Sequence, residues 1–113
     1  MPESLLYMTF GAMEEAQRIG EALVRGRLAA CVNILPGMRS LYWWKGRVET
    51  ADEVVMIAKT RTELTESVIE YVRTRHSYEV PSIVSMSIAG GNPDFLDWIR
   101  KETRETNDSG DMV

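Results

Sequence analysis

The sequence predicts an α+β domain in the order strand, helix, strand, strand, helix, strand, closed by one further helix. Three observations carry this. Apolar residues alternate with period two in four runs, and helical stripes of period 3.6 separate the first run from the second and the third from the fourth. A Pro36-Gly37 step and a Lys45-Gly46 step punctuate the middle of the chain, where two extended runs follow one another without a helix between them.

The first run, "SLLYMTFG", sets Leu5, Tyr7 and Thr9 on one face and Leu6, Met8 and Phe10 on the other, so both faces are apolar and the strand is central. From Met13, Ala16, Ile19, Gly20, Leu23 and Val24 recur at helical spacing, with Glu14, Glu15, Arg18, Glu21 and Arg25 opposite, and the helix closes near Gly26. "LAACVNILPG" is the second run, stopped or bent at Pro36-Gly37; "MRSLYWW" continues it to the turn, and "DEVVMIAKT" returns as a buried strand. Thr60 and Glu63 have capping-box spacing ahead of a helix whose inward stripe is Leu64, Val68, Tyr71 and Val72 and which ends near Arg75. "HSYEVP" is a loop, because Pro81 removes a donor and biases Val80 to extended geometry. "SIVSMSIAGG" alternates again, with one face to bury. Asn92 and Pro93 then open a third helix with Phe95, Leu96 and Ile99 inward. This is the ferredoxin-like βαββαβ order, an antiparallel sheet with its helices on one face. Its other face, apolar as well, needs a cover, and a partner subunit is the simplest one.

One domain of 113 residues accounts for the chain, with a polar, flexible tail over about 107–113. No apolar run approaches the ~20 residues that span a bilayer, which speaks against a membrane role. The start "MPESLLYMTFG" lacks the basic region and cleavage site of a secretory signal, and the single Cys31 suits a reducing compartment; a cytoplasmic location is expected. With 13 Lys and Arg against 17 Asp and Glu, and no basic block, nucleic acid is a poor partner.

Three of the nine aromatic residues, Tyr42, Trp43 and Trp44, stand together beside the Lys45-Gly46 turn. A strand of 14 residues from Arg47 to Thr60 extends to ~46 Å at ~3.3 Å per residue, against a breadth of roughly 35 Å for a domain of this size. The hairpin therefore bends, with a bulge in the polar segment Glu49 to Glu53, or overhangs. Tyr42, Trp43 and Trp44 are expected to dock on a neighbouring subunit; burial under the third helix and stacking on single-stranded nucleic acid are the alternatives.

The stretches "LAACVNILPGMRSLYWWKGRVETADEVVMIAKT", "HSYEVPSIV" and "GNPDFLDWI" resemble the CutA (CutA1) divalent-cation tolerance proteins in order and spacing, over nearly all of the chain before about Glu102. The resemblance implies a PII-like homotrimer of ferredoxin-like protomers, long hairpins entering intersubunit sheets, and a link to tolerance of copper and other divalent metals. The chain departs from the common pattern at Ser77 and Ser87, where proline is frequent, at Ser82, where an acidic residue is frequent, and at Phe95, where tyrosine is frequent.

Cys31, His76 and Glu79 are the metal candidates, and by resemblance Cys31 and His76 occupy the "AACVN" and "H-x-Y" positions. Thiolate with imidazole favours copper or zinc over magnesium. A lone strand cysteine also serves as a small hydrophobe, and His76 also serves to fix its loop by hydrogen bonds. Lys59, a charge within an apolar strand, must meet a carboxylate or face an intersubunit cleft that Tyr78 and Glu79 help line. Gly90-Gly91 ahead of Asn92 could hold a small anion, and is read as a turn and cap. A Cys31/His76 nucleophile and base would make an enzyme, but no activating motif accompanies them. The expectation is a non-enzymatic, copper- or divalent-metal-binding homotrimer with ligand clefts between subunits. A structural or signalling adaptor trimer, its metal binding incidental, is the alternative.

Overall fold

The computed structural model describes residues 2–105, so the expected tail at 107–113 lies outside the described residues. The order is β1 (Glu3–Phe10), α1 (Met13–Arg25), β2 (Cys31–Trp44), β3 (Arg47–Arg61), a short 3-10 turn (Thr62–Leu64), α2 (Thr65–Arg75), β4 (Ile83–Ser87) and α3 (Pro93–Glu102). The strands form one antiparallel sheet ordered β2-β3-β1-β4, the expected ferredoxin-like topology. Among the described residues no helix is long and apolar enough to cross a membrane.

Leu6, Met8 and Phe10 of β1 lie opposite Ala58, Met56 and Val54 of β3, and this row meets Ala16, Ile19 and Leu23 of α1 with Val68 and Val72 of α2. These side chains are buried and form the core, on one face of the sheet. At Gly20 α1 runs close to the sheet: a Cβ there would come within 3.0 Å of Val32 Cγ2 and 3.1 Å of Met56 Cε. The expected polar side of α1 has one exception, Glu15, which is buried for a reason that belongs to the site. The Thr60–Glu63 capping box does not form. Thr60 is the penultimate residue of β3, fully buried, and its hydroxyl donates to Leu28 O at 2.6 Å; α2 starts after the 3-10 turn instead.

The opposite face carries Leu5, Tyr7 and Thr9 beside Lys59, Ile57 and Val55, then Cys31, Asn33 and Leu35 on one side and Met86 and Val84 on the other. Val84 and Met86 are about half exposed there, at 52% and 48%, and Leu35 is 56% exposed. The apolar side of β4 is therefore the one that no element among the described residues covers. The end near Glu3 and Arg61 is closed by α3. Arg61 is buried and its guanidinium donates to Thr103 Oγ1 (3.0 Å), Thr103 O (3.1 Å) and Arg100 O, the last carbonyls of that helix, where the macrodipole is negative. Asn92 caps the other end, its Oδ1 accepting from Asp94 N at 3.1 Å, as expected. Of the residues expected inward on α3, Ile99 is buried, Leu96 is partly exposed and Phe95 is 40% exposed, because the helix crosses one end of the sheet and leaves its outer side to solvent.

The long hairpin bends, but on β2 rather than in the Glu49–Glu53 segment. Leu35 pairs with Val55 and Met38 with Glu53, so β2 holds one extra residue at Pro36-Gly37, with Gly37 at φ +83°. The strand continues through this bulge to a two-residue turn in which Lys45 (φ +51°) and Gly46 (φ +81°) are both left-handed, the geometry that suits the twist of a hairpin.

Arg61→Ala is expected to destabilise the protein by about 2–4 kcal/mol, because three acceptors, in two buried hydrogen bonds and one partly buried, lose a charged donor. Arg61→Lys should recover only part of this, since an ammonium cannot reproduce the guanidinium fork. Denaturant midpoints check the magnitude, and faster amide exchange confined to residues 93–102 checks the location.

Candidate functional site

The loop between α2 and β4 is tied to the sheet by His76. Its side chain is fully buried and stacks on Phe10 with ring centroids 4.5 Å apart. Nε2–H donates to Thr9 O at 2.7 Å, which leaves Nδ1 to accept from Tyr78 N at 3.1 Å. Glu15 completes the attachment, accepting from Ser77 N at 2.7 Å and from Ser77 Oγ at 2.8 Å. This explains the burial of a glutamate on the first turn of α1. The loop so held places Tyr78 over Gly11, where a Cβ would come within 3.2 Å of the phenolic oxygen.

Tyr78 spans the mouth of a cleft of about 850 Å³ between this loop, β1 and the outer half of the β2–β3 hairpin. Its hydroxyl donates to Glu53 Oε2 at 2.7 Å, and Ser40 Oγ donates to Glu53 Oε1 at 2.6 Å. Beside them Tyr7 OH donates to Met38 Sδ at 3.2 Å. Beyond the bulge Ser40, Tyr42 and Trp44 share a face with Met38, so Tyr42 and Trp44 form the aromatic wall. At the tip, Lys45 Nζ lies 5.5 Å from the centroid of the Trp44 ring and 3.9 Å from Glu79 Oε1, which brings the hairpin end against the loop. Burial, and then the hydrogen bond to the Glu53 carboxylate, raise the ionisation of Tyr78 well above the ordinary phenol range, so it remains a donor.

The residues singled out from sequence fall into three places. Tyr78 and Glu79 line the cleft, as do Tyr42 and Trp44, whereas Trp43 points the other way and is 74% exposed next to Leu41 and Val48. The alternation of a strand separates three aromatics that read as one cluster. Lys59 lies on the open face, donating to Asn33 Oδ1 at 2.5 Å and sitting 5.9 Å from the Phe95 ring centroid. Cys31, a free and partly exposed thiol, is the register partner of Lys59, which pairs with Leu5.

Thr9, to which His76 bonds, is four residues further along β1 than Leu5, about 13 Å at ~3.3 Å per residue. Cys31, His76 and Glu79 are thus not brought together within one chain. Both ring nitrogens of His76 are committed to the backbone, and Glu79 is exposed and paired with Lys45. Among the described residues no group of three His, Cys, Asp or Glu is placed to hold a metal ion, so the donor set of a single protomer does not fit a tightly bound cation. Sequence reasoning missed Glu53, Ser40 and Glu15. The first two become visible only when the bulge is counted into the register, and the third only when the loop is seen to fold back on α1.

An α+β protomer of ferredoxin-like topology, with one sheet face uncovered and a cleft under a long hairpin, defines the class. Residues 4–102 match the model of the CutA1 divalent ion tolerance protein family, and the chain belongs to it. The chloroplastic protein CutA 1 of Oryza sativa is 40% identical over 106 residues, which are 94% of this chain and 60% of that protein. The divalent-cation tolerance protein CutA of Thermus thermophilus is 44% identical over 101 residues, 89% of this chain and 98% of that one. The chain thus spans about 60% of the length of its plant relative and nearly all of the bacterial one. The crystal structure of CutA1 from Oryza sativa superposes with a TM-score of 0.90 at 40% identity, covering 94% of this chain and 97% of that one. A structure from Archaeoglobus fulgidus, described as a periplasmic divalent cation tolerance protein, gives 0.85 at 43% identity, covering 88% and 97%. The Thermus thermophilus and Archaeoglobus fulgidus relatives are named as divalent-cation tolerance proteins, and chloroplast and periplasm both occur in the names of these relatives.

Tyr78→Phe is expected to cost about 1–2 kcal/mol at pH 7, since Glu53 loses a donor. The raised folded-state ionisation of Tyr78 means that its contribution is complete below the unfolded value near ~10 and is lost as pH rises through the folded one. The stability gap between wild type and variant should therefore shrink above about pH 10, as read from denaturant midpoints at pH 7 and 10.5.

Proposed function

We propose that this chain acts in divalent-cation tolerance as a non-enzymatic homotrimer, its protomers closing their open sheet faces on one another in a PII-like arrangement, with the Glu53–Tyr78 clefts as ligand sites. The observation that carries the reading is the uncovered face: Leu35, Val84 and Met86 about half exposed, beside Leu5, Tyr7 and Ile57 of the central strands. A contiguous apolar surface of this kind on a small domain is characteristic of an association surface. Trp43, Leu41 and Val48, exposed together on the outer side of the hairpin, extend it. Among the described residues Lys59 on the same face meets neutral groups, Asn33 and the Phe95 ring, and an acid across the subunit boundary would neutralise it. The free thiol of Cys31 supports a reducing compartment such as the cytoplasm. The separation of Cys31 from His76 supports a role without catalysis.

Copper is the cation that a thiol favours, and Cys31 on the open face is the donor assigned to it, completed by groups from a neighbouring protomer. The absence of a three-donor group among the described residues favours a second reading, a signalling trimer whose metal binding is incidental.

Sedimentation equilibrium at micromolar concentration should give three times the 12.8 kDa protomer mass; a monomer would end the proposal. Trp43→Ala should lower the stability of the trimer on dilution. Calorimetric titration with copper(II) is expected to show saturable binding that Cys31→Ser weakens at least about tenfold, the loss of one soft ligand. Binding indifferent to Cys31, or none tighter than millimolar, would leave the second reading.

A further inference from the structure

We infer that the cleft is a site for a small organic ammonium ion, its cationic head on Glu53 and its apolar body against Tyr42, Trp44 and Met38. The inference rests on the reading of this cleft as a ligand site and names the class of ligand.

Three carboxylates line the cleft, and their charges are balanced unequally. Asp52 pairs with Arg39 at 3.2 Å, and Glu79 with Lys45 at 3.9 Å. Glu53 accepts only from two neutral hydroxyls, those of Ser40 and Tyr78, and no cationic side chain among the described residues forms an ion pair with it. It is half-buried, so water offsets its charge less well than at the other two. A carboxylate has about four lone-pair directions, and two hydroxyl donors leave room for a further one.

The surroundings select the kind of cation. Tyr42 and Trp44 offer ring faces, which attract positive charge, and the Lys45 ammonium already sits over Trp44. Met38 and the aromatic edges supply an apolar wall, and about 850 Å³ falls within the roughly 300–1,000 Å³ of small-molecule sites. A metal ion would find a single carboxylate lacking a cationic partner, since no three-donor group exists among the described residues. An anion would meet the Glu53 carboxylate, with which no cationic side chain among the described residues pairs. An ammonium ion with an apolar body uses the charge, the rings and the volume together.

The test is calorimetry, with tryptophan fluorescence beside it, on the full chain titrated with phenethylammonium, its neutral analogue 2-phenylethanol and the anion 3-phenylpropionate. The ammonium should bind at least about tenfold more tightly than the alcohol, as a hydrogen bond to a charged group provides, and the anion most weakly. Glu53→Gln should bring ammonium and alcohol to within about threefold of each other. Trp44→Leu should weaken both, and the ammonium more than the alcohol because the ring face that attracts its charge is lost, a readout that stands if the Glu53 variant does not fold. Equal binding of alcohol and ammonium by the wild type, or an undiminished preference in Glu53→Gln, would overturn the ligand class and leave the cleft a ligand site. No binding of any of the three would overturn both. A monomeric mass with the ammonium preference intact would remove the trimer and leave the present inference standing.

Discussion

Two helices of 13 and 11 residues can cover one face of a four-stranded sheet and no more. Everything else in this molecule is arranged around that constraint. The sequence places apolar side chains on both faces of β1 and β3, so the second face must be closed by something other than α1 and α2. The chain closes a part of it by two devices. At one end α3 is drawn across by the buried guanidinium of Arg61, and at the other the hairpin curls toward the loop that His76 fixes. The strip between them stays open, and it is the surface on which the proposed assembly depends.

The His76 loop shows how a residue type with many chemical uses is committed by its surroundings. An imidazole in a polar loop reads equally as a metal ligand or as a structural anchor, and here two backbone groups supply the partners of an anchor. Thr9 O takes the proton of one nitrogen, and Tyr78 N–H occupies the lone pair of the other. Glu15 then supports the loop from the helix side, through Ser77. With a proline at position 77 the backbone donor to Glu15 would be missing, so the serine in this chain supplies half of that attachment through its own N–H.

The periodic parts of the fold were legible from residues alone. The alternation Leu6, Met8, Phe10 and the stripe Ala16, Ile19, Leu23 each have one physical solution, a buried face, and both are found as read. Asn92-Pro93 marked the start of α3 because a cap and a missing donor act locally. What failed was non-local. Thr60-x-x-Glu63 has the spacing of a cap, yet burial of Thr60 beneath Leu28 kept the strand going through Arg61. Glu53 reads from sequence only as the end of a polar segment expected to bulge, and the pairing of β2 with β3 turns it toward Ser40 and Tyr78. The three adjacent aromatics read as one cluster, but adjacency along a strand means opposite faces.

The bulge at Pro36-Gly37 has a consequence of arithmetic. One extra residue changes the parity of every side chain between it and the turn, so that even-numbered positions from Met38 to Trp44 look the way odd-numbered positions from Cys31 to Leu35 do. Were the extra residue kept but paired regularly, β2 beyond Leu35 would slip by one place against β3, sending Tyr42 and Trp44 outward and turning Trp43 toward the cleft. Deleting the extra residue has no such effect, because Met38 would still stand opposite Glu53 and Tyr42 opposite Glu49. The bulge thus works as a shim: it takes up one residue of length so that the register at the core and the register at the turn can both be kept.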